Sequence, residues 1–429
     1  MLNKTPALIL CTFLAAHVLH SADLNLNGQS NKTYENNAYG RLVINNCTSI
    51  IIRNCTFAVS SGTVVDIKNS KQIVVENCDI DGKVNACTGI NILNNSSQVT
   101  IKGCTIHDIA DDGIQSHNCS DLFLLNNEIS HLYGCGTDGG CGPCYNGHSD
   151  GIELFNIDGL EIKGNLIYDV RSTAALFCSR FDTFINKNYV IENNIWYTPE
   201  SGFVAYVQYT HGLKIYNNIM WKGVYGGIAV GEGITGMEMH NNILHAINYK
   251  HMKAAFNANE HTIDYNLLAV GNQGYLPNTH DITDANHAFE KIPKISSSTT
   301  YTDVRAEDFK PKSGSKTIDA GFAGAHSPST DYFGNGRTDN ADVANTGDGT
   351  QKFYDIGAIE YGGSSTTSAR PYRNKAITGR NHTDESLPIA IYSIAGKKLK
   401  CATTVRGIYI LEGKNSNCMI SYLHRRFAR

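Results

Sequence analysis

A basic stripe is missing from this chain. Its 36 Lys and Arg stand against 40 Asp and Glu, a formal net charge of −4, so phosphate meets no broad positive footprint and nucleic acid is excluded as a partner. Long apolar runs are missing as well, except at the start. No segment after residue 22 reaches the ~20 apolar residues that a bilayer span needs. Proline is scarce, 9 in 429 residues, while Gly reaches 40 and Asn is in evident excess; a chain of this length can bury a large core. The opening residues 1–22, MLNKTPALILCTFLAAHVLHSA, place Lys4 before an apolar run that ends in small residues. That order reads as a secretory signal, and the run is too short for an anchor. Of 13 cysteines, Cys11 leaves with the signal, and the remaining twelve reach a compartment where disulfides persist.

What the chain does have is a repeat. Polar pairs introducing a short apolar alternation recur as Asn54-Cys55, Asn77-Cys78, Gly103-Cys104, Asn126-Asn127, Gly164-Asn165, Asn193-Asn194, Asn217-Asn218 and Asn241-Asn242, with Asn266 continuing the series. The steps are 23, 26, 23, 38, 29, 24 and 24 residues. Between them runs a second series, Gly89-Ile90, Gly113-Ile114, Gly151-Ile152, Gly202-Phe203 and Gly227-Ile228. Each coil therefore carries at least two short strands of period two, with Asn or Gly where the chain turns tightly. One coil cannot bury its own apolar face, whereas stacked coils can. An amide repeated at one corner can bond the coils above and below. Cys55, Cys78 and Cys104 share one ladder position and read as a buried sulfur stack.

On these residues the chain, over roughly 39–270, resembles the right-handed parallel β-helix proteins of the pectate-lyase-like superfamily. The resemblance implies an all-β solenoid over 23–308 and leaves function open, since that superfamily holds polysaccharide lyases, glycoside hydrolases, uronate epimerases and non-catalytic surface proteins. Residues 309–362, with FKPKSGSKTIDAG, DYFGNGR and DIGAIEYGG, are similar to the closing segment of exported bacterial β-helix proteins and are expected to seal the last coil. A small polar linker, 363–386, follows. Residues 387–429, with a Gly-Lys turn and an Arg-Gly-Ile-Tyr strand, resemble a small C-terminal β domain that addresses proteins to the type IX secretion machinery. That resemblance implies a secreted or cell-surface protein of a Gram-negative bacterium, here expected to be a monomer.

Two near-copies, ADDGIQSHN at 110–118 and GHSDGIELF at 147–155, flank the one irregular step. Aligning them sets Asp112 below Asp150, Gln115 below Glu153 and His117 below Phe155, with neighbouring strands ~4.8 Å apart. Ile114 and Ile152 must point inward, so Gln115 and Glu153 point outward; Phe177, Ser179 and Arg180, then Val204 and Tyr206, continue the strip. The added stretch, 131–146, carries Cys135, Cys141 and Cys144 and is expected to wall a groove. Its cysteines with His148 can be written as a zinc site; a loop disulfide is the preferred reading in an exported protein. Asp112 and Asp150 can cap turns. They can also, with Glu153, hold Ca²⁺, because unneutralised carboxylates this close repel. The Tyr series 197, 206, 209, 216 and 225 is divided between sugar-stacking surface and strand filler.

A cation beside an outward groove suggests an acidic polysaccharide. Removing the proton next to a uronate carboxylate requires that its charge be offset, after which the glycosidic oxygen leaves by β-elimination. The catalytic candidates are His148, Glu153, Arg180, Tyr206 and Tyr209, with Gln115, His117, Phe155 and Phe177 binding substrate. The short motifs of particular lyases, epimerases and polygalacturonases are absent. Two alternatives stay open, a glycoside hydrolase using Asp112, Asp150 and Glu153, and a non-catalytic carbohydrate-binding or adhesive surface protein.

Overall fold

A computed structural model describes residues 21–134, 148–245, 247–248, 261–269, 277–287, 289–291 and 304–363, together with two short strands, Ile391–Tyr392 and Lys398–Leu399. The signal, the cysteine loop and most of the C-terminal segment lie outside these residues. The chain is a right-handed parallel β-helix, the hand that parallel crossovers take. Three parallel sheets run along it. In the first coil, Leu24–Asn27 starts sheet 1, Ser30–Glu35 starts sheet 2 and Ala38–Tyr39 starts sheet 3. Each strand pairs in parallel with its counterpart one coil on. The strands Asp79–Leu93, Thr105–Leu125 and Asp150–Lys163 bend around corners without a break, joining 27 strands into one assembly.

Recurrent positive-φ residues mark the corners. Between sheets 2 and 3 the first residue of each polar pair takes positive φ: Asn54, Asn77, Gly103, Asn126, Gly164, Asn193, Asn217 and Asn241. Asn tolerates that region and Gly enters it freely, which explains why only these two alternate there. The second residue builds the ladder. Asn127, Asn165, Asn194, Asn218 and Asn242 each use their backbone N–H to donate to the next coil's amide oxygen, Asn165, Asn194, Asn218, Asn242 and Asn266 respectively, at 2.9–3.0 Å. In earlier coils Cys55, Cys78 and Cys104 fill that position as buried free thiols, the expected sulfur stack. The corner between sheets 1 and 2 repeats the device with Asn46, Asn69, Asn118 and Asn156 at positive φ. The third corner, from sheet 3 back to sheet 1, begins with Asp108, His131 and Asp169 at positive φ in successive coils, and its length varies from coil to coil.

Inward residues stack in files. Val65, Ile90, Ile114, Ile152, Leu176, Ala205 and Ile228 are successive partners along sheet 1, and all are fully buried. At ~1.5–3 kcal/mol per large aliphatic side chain, such files supply the driving force that one coil lacks.

The segment 304–363 straps the flank of the solenoid over the outer face of sheet 3. That face is apolar in the later coils (Tyr168, Ile195, Tyr197, Ile219, Trp221, Ile243, Leu267), and Phe309, Phe333, Ile356 and Ile359 cover it. The corner asparagines hold the strap: Asn193 donates to the Thr330 carbonyl, Asn217 to Asp355 and Gly357, and Asn241 to Phe322. A buried Arg337–Glu360 pair at 3.0 Å, with Arg337 also on Asn193 Oδ1 at 3.1 Å, fastens it. The physical reason is the apolar outer face of sheet 3, which without the strap would be one contiguous exposed patch. Tyr197 and Tyr216 are likewise core residues, packed on Phe309 and His240, so they offer no sugar-stacking surface.

Candidate functional site

The third corner delivers the polar side chains. Asp111 and Asp112 lie where Thr105–Leu125 passes from sheet 3 into sheet 1, and His148 and Asp150 lie at the same place one coil on. The register has Gln115 opposite Glu153, His117 opposite Phe155, Glu153 opposite Phe177 and Phe177 opposite Tyr206, as the repeat implies. Asp112 Oδ1 accepts the Asp150 N–H at 2.8 Å, so this carboxylate caps the start of the next coil's strand.

His148 is the hub. Its Nδ1 lies 3.5 Å from Asp111 Oδ1 and 3.5 Å from Asp112 Oδ1; its Nε2 lies 3.1 Å from Asp150 Oδ2 and 3.9 Å from Glu153 Oε1. Gln115 Nε2 donates to Glu153 Oε2 at 2.5 Å and to Asp112 Oδ2 at 3.2 Å. His117 Nε2 approaches Glu153 Oε2 at 3.5 Å. Asp150 is 0%, Asp112 1% and Glu153 4% exposed, so solvent enters past His148, Asp111 and Gln115. Asp111 escapes the repeat alignment; its only signal is the doubled Asp in ADDG.

Four carboxyls in one shielded cluster cannot share a charge state. Burial, then the charges of Asp111 and Glu153, push the Asp112 carboxyl well up. Burial raises Asp150 to about 6 against the opposing charge of His148. Glu153 goes the other way: burial would raise it, but the His117 contact and the His148 charge outweigh that and keep it ionised. Burial would lower His148; the Asp150 charge and the contacts with Asp111, Asp112 and Asp150 instead raise it well above the ordinary imidazole range. A proton on His148 thus offsets part of the cluster's carboxylate charge. His148, Asp150 and Glu153 present ligand atoms all within 4.8 Å of one another, as do Asp111, Asp112 and His148.

The aromatic strip beside the cluster is packed on itself. Phe155 and Phe177 are buried; Phe155 stacks on Phe181 at 4.4 Å and 5°, and Phe177 on Tyr206 at 5.4 Å and 9°. His117 sets its edge against Phe155 and Phe181. Phe181, beyond the strand's end, carries no periodic signal in the sequence. The Tyr206 hydroxyl accepts from Gln208 Nε2 at 2.8 Å, and burial holds its proton up to about 12. Arg180 lies over the Tyr209 ring at 3.8 Å, and Tyr209 donates to Glu232 at 3.1 Å. Arg180 and Tyr209 thus form a pair of their own further along the solenoid. The cysteines of 135–146 lie outside the described residues, while Cys87 is disulfide-bonded to a partner also outside them.

A similar-looking group on sheet 3 is saturated. Both oxygens of Asp81 accept from Lys83, and those of Asp108 contact Tyr133 and His107 at 2.8 and 2.9 Å. A shallow groove on sheet 2, lined by Gln72, Val74, Gln98, Thr100, Asp121 and Phe123, lies away from both clusters.

The family described as "Right handed beta helix region" matches residues 16–142. No curated protein matches the chain. Among solved structures, PfbA, a surface adhesin of Streptococcus pneumoniae, aligns at 14% identity and TM-score 0.33 over 52% of this chain and 64% of its own. The chain thus spans under two thirds of the adhesin's length. Pectate lyase Pel9A aligns at 14% and 0.31 over 79% and 69%. The Azotobacter vinelandii mannuronan C-5 epimerase AlgE4 A-module aligns at 9% and 0.33 over 62% and 77%.

Proposed function

We propose that the chain is an exported carbohydrate-active protein that cleaves a uronate-containing polysaccharide by β-elimination at the His148–Asp150–Glu153 cluster, with residues 387–429 engaging secretion machinery. The observation that carries this reading is the concentration of four carboxyls and an imidazole at the corner between sheets 3 and 1. Such a cluster gathers a cation, and a cation offsets the substrate carboxylate so that the neighbouring C–H proton becomes removable. His148 and His117 are the two imidazoles within reach of the cluster, and one of them takes that proton. Tyr206 keeps its own proton at neutral pH and serves the wall of the strip. Arg180, over Tyr209, meets a longer glycan beyond the cleavage point.

One observation favours glycoside hydrolysis as a second reading. Asp150 is raised to about 6 beside an ionised Glu153, with ligand atoms within 4.8 Å, and a split pair at short separation suits a retaining acid and nucleophile. A panel of pectin, alginate, chondroitin and neutral glycans separates the readings. Elimination leaves an unsaturated uronate that absorbs in the near ultraviolet, lost in Glu153→Gln. Reducing ends without that absorbance support hydrolysis, and binding without product overturns both in favour of a surface-binding protein.

A further inference from the structure

We propose that His148 Nε2, Asp150 and Glu153 form a binding site for a borderline first-row divalent ion of the Mn²⁺ to Zn²⁺ class, and that the site is not one for Ca²⁺. It supplies the cation that the glycan reading calls for, and in that respect rests on it.

The argument begins with Asp150. Its carboxylate is fully buried and neither oxygen has a hydrogen-bond partner of good geometry, with His148 Nε2 3.1 Å from Oδ2 as an ion-pair neighbour. A buried carboxylate in that condition is costly unless a cation meets it. The saturated group of Asp81, His107 and Asp108 shows what this chain does when such residues are purely structural.

The surroundings then select the ligands. Asp112 has both oxygens committed, one to the Asp150 N–H and one to Gln115, so it positions and does not ligate. Glu153 Oε2 is held by Gln115, which leaves Oε1 on the His148 side. Asp111 and Asp112 face His148 Nδ1 at 3.5 Å each, and carboxylates behind an imidazole fix the tautomer that offers Nε2 to a metal. Three protein ligands with further positions open is the pattern of a working metal site, not a sealed structural one. A ring nitrogen among the donors favours Mn²⁺, Fe²⁺, Co²⁺ or Zn²⁺, since Ca²⁺ takes six to eight oxygens. With Nε2 occupied, His117 is the imidazole left to accept the substrate proton.

The test is calorimetric titration of the chelator-treated full chain with ZnCl₂ and MnCl₂, with and without excess CaCl₂. The expected result is one ion per chain, undisturbed by Ca²⁺, abolished in His148→Ala and weakened about 10–100-fold in Asp112→Asn. Equal uptake of Ca²⁺ with His148→Ala unaffected overturns the proposal, as does no uptake of either ion. If His148→Ala does not fold, Co²⁺ bound to the wild-type chain decides. A hyperfine-shifted, exchangeable imidazole N–H resonance in the proton NMR spectrum of the Co²⁺ form supports a histidine ligand, and a spectrum without one overturns it. Binding is read without substrate, so failure here leaves the glycan panel to be judged separately.

Discussion

Replacing Asn218 by Ala tests whether the corner ladder is structural in the sense argued above. Asn218 is fully buried. Its Oδ1 accepts the backbone N–H and the side-chain Nδ2 of Asn194, both at 2.9 Å. Its Nδ2 donates to the carbonyls of Ile191 and Tyr216 and to Asn242 Oδ1 at 2.9–3.0 Å. Alanine strands two buried donors of Asn194 where water has no room. At ~1–3 kcal/mol for each buried group left unpaired, the cost is about 2–6 kcal/mol, a large share of the ~5–15 kcal/mol that holds a typical domain. Backbone strain adds nothing, since the positive φ belongs to Asn217. Urea unfolding of the full chain followed by circular dichroism measures the change. Asn45→Ala is the comparison: its amide bonds Asn27 at 3.2 Å on the solvent side, where water replaces the lost partner and the change stays within about 0.5 kcal/mol. Equal, small losses in the two variants would refute the ladder argument. Asn218→Cys is expected to recover part of the loss, because Cys104 fills the same position with Sγ 3.5 Å from the Val75 carbonyl.

Other outcomes follow from particular residues. Burial would lower His107, but its bonds to Asp108 and Asp79 hold it up at about 9 from 6.5. A raised folded value stabilises fully below pH ~6.5 and is lost as pH rises through 9; at ~1.4 kcal/mol per unit the loss is about 3 kcal/mol. Urea midpoints at pH 6 and 10 should show it, and His107→Gln should flatten it. Glu360→Ala leaves Arg337 buried and unpaired, at about 3–5 kcal/mol, and should expose residues 304–363 to limited proteolysis before the coils; simultaneous digestion would contradict a separately fastened strap. Tyr206→Phe removes only the bond from Gln208, so turnover on the active glycan should fall less than tenfold, where loss of a general base costs about 10²–10⁴. Cys55, Cys78, Cys119 and Cys178 have buried thiols pushed up in pKa, and Cys104 is fully buried. Alkylation read by mass spectrometry should therefore miss them in the native chain and find them in urea; native labelling would refute the sulfur stack.

The solenoid was legible because its determinants are local and repeated. Positive φ admits Asn and Gly at one place per coil, a ladder residue follows, and alternation assigns inside and outside; each rule writes itself into the chain at a spacing near 24 residues. The pairing of Gln115 with Glu153 and of Phe177 with Tyr206 follows from the same arithmetic. What parity cannot say is what covers an outward side chain. Phe181 lies beyond its strand, yet it closes over Phe155, and residues more than 130 positions along the chain from Asn193 and Asn217 lie against sheet 3. Nor does spacing tell which oxygens of Asp112, Asp150 and Glu153 are already taken. That depends on Gln115 and His148 meeting them from two successive coils. Sequence alone determined the register, because register is a sum of local constraints. Burial, ligand choice and the place of the strap were decided only in three dimensions, where groups far apart in the chain compete for the same few ångströms.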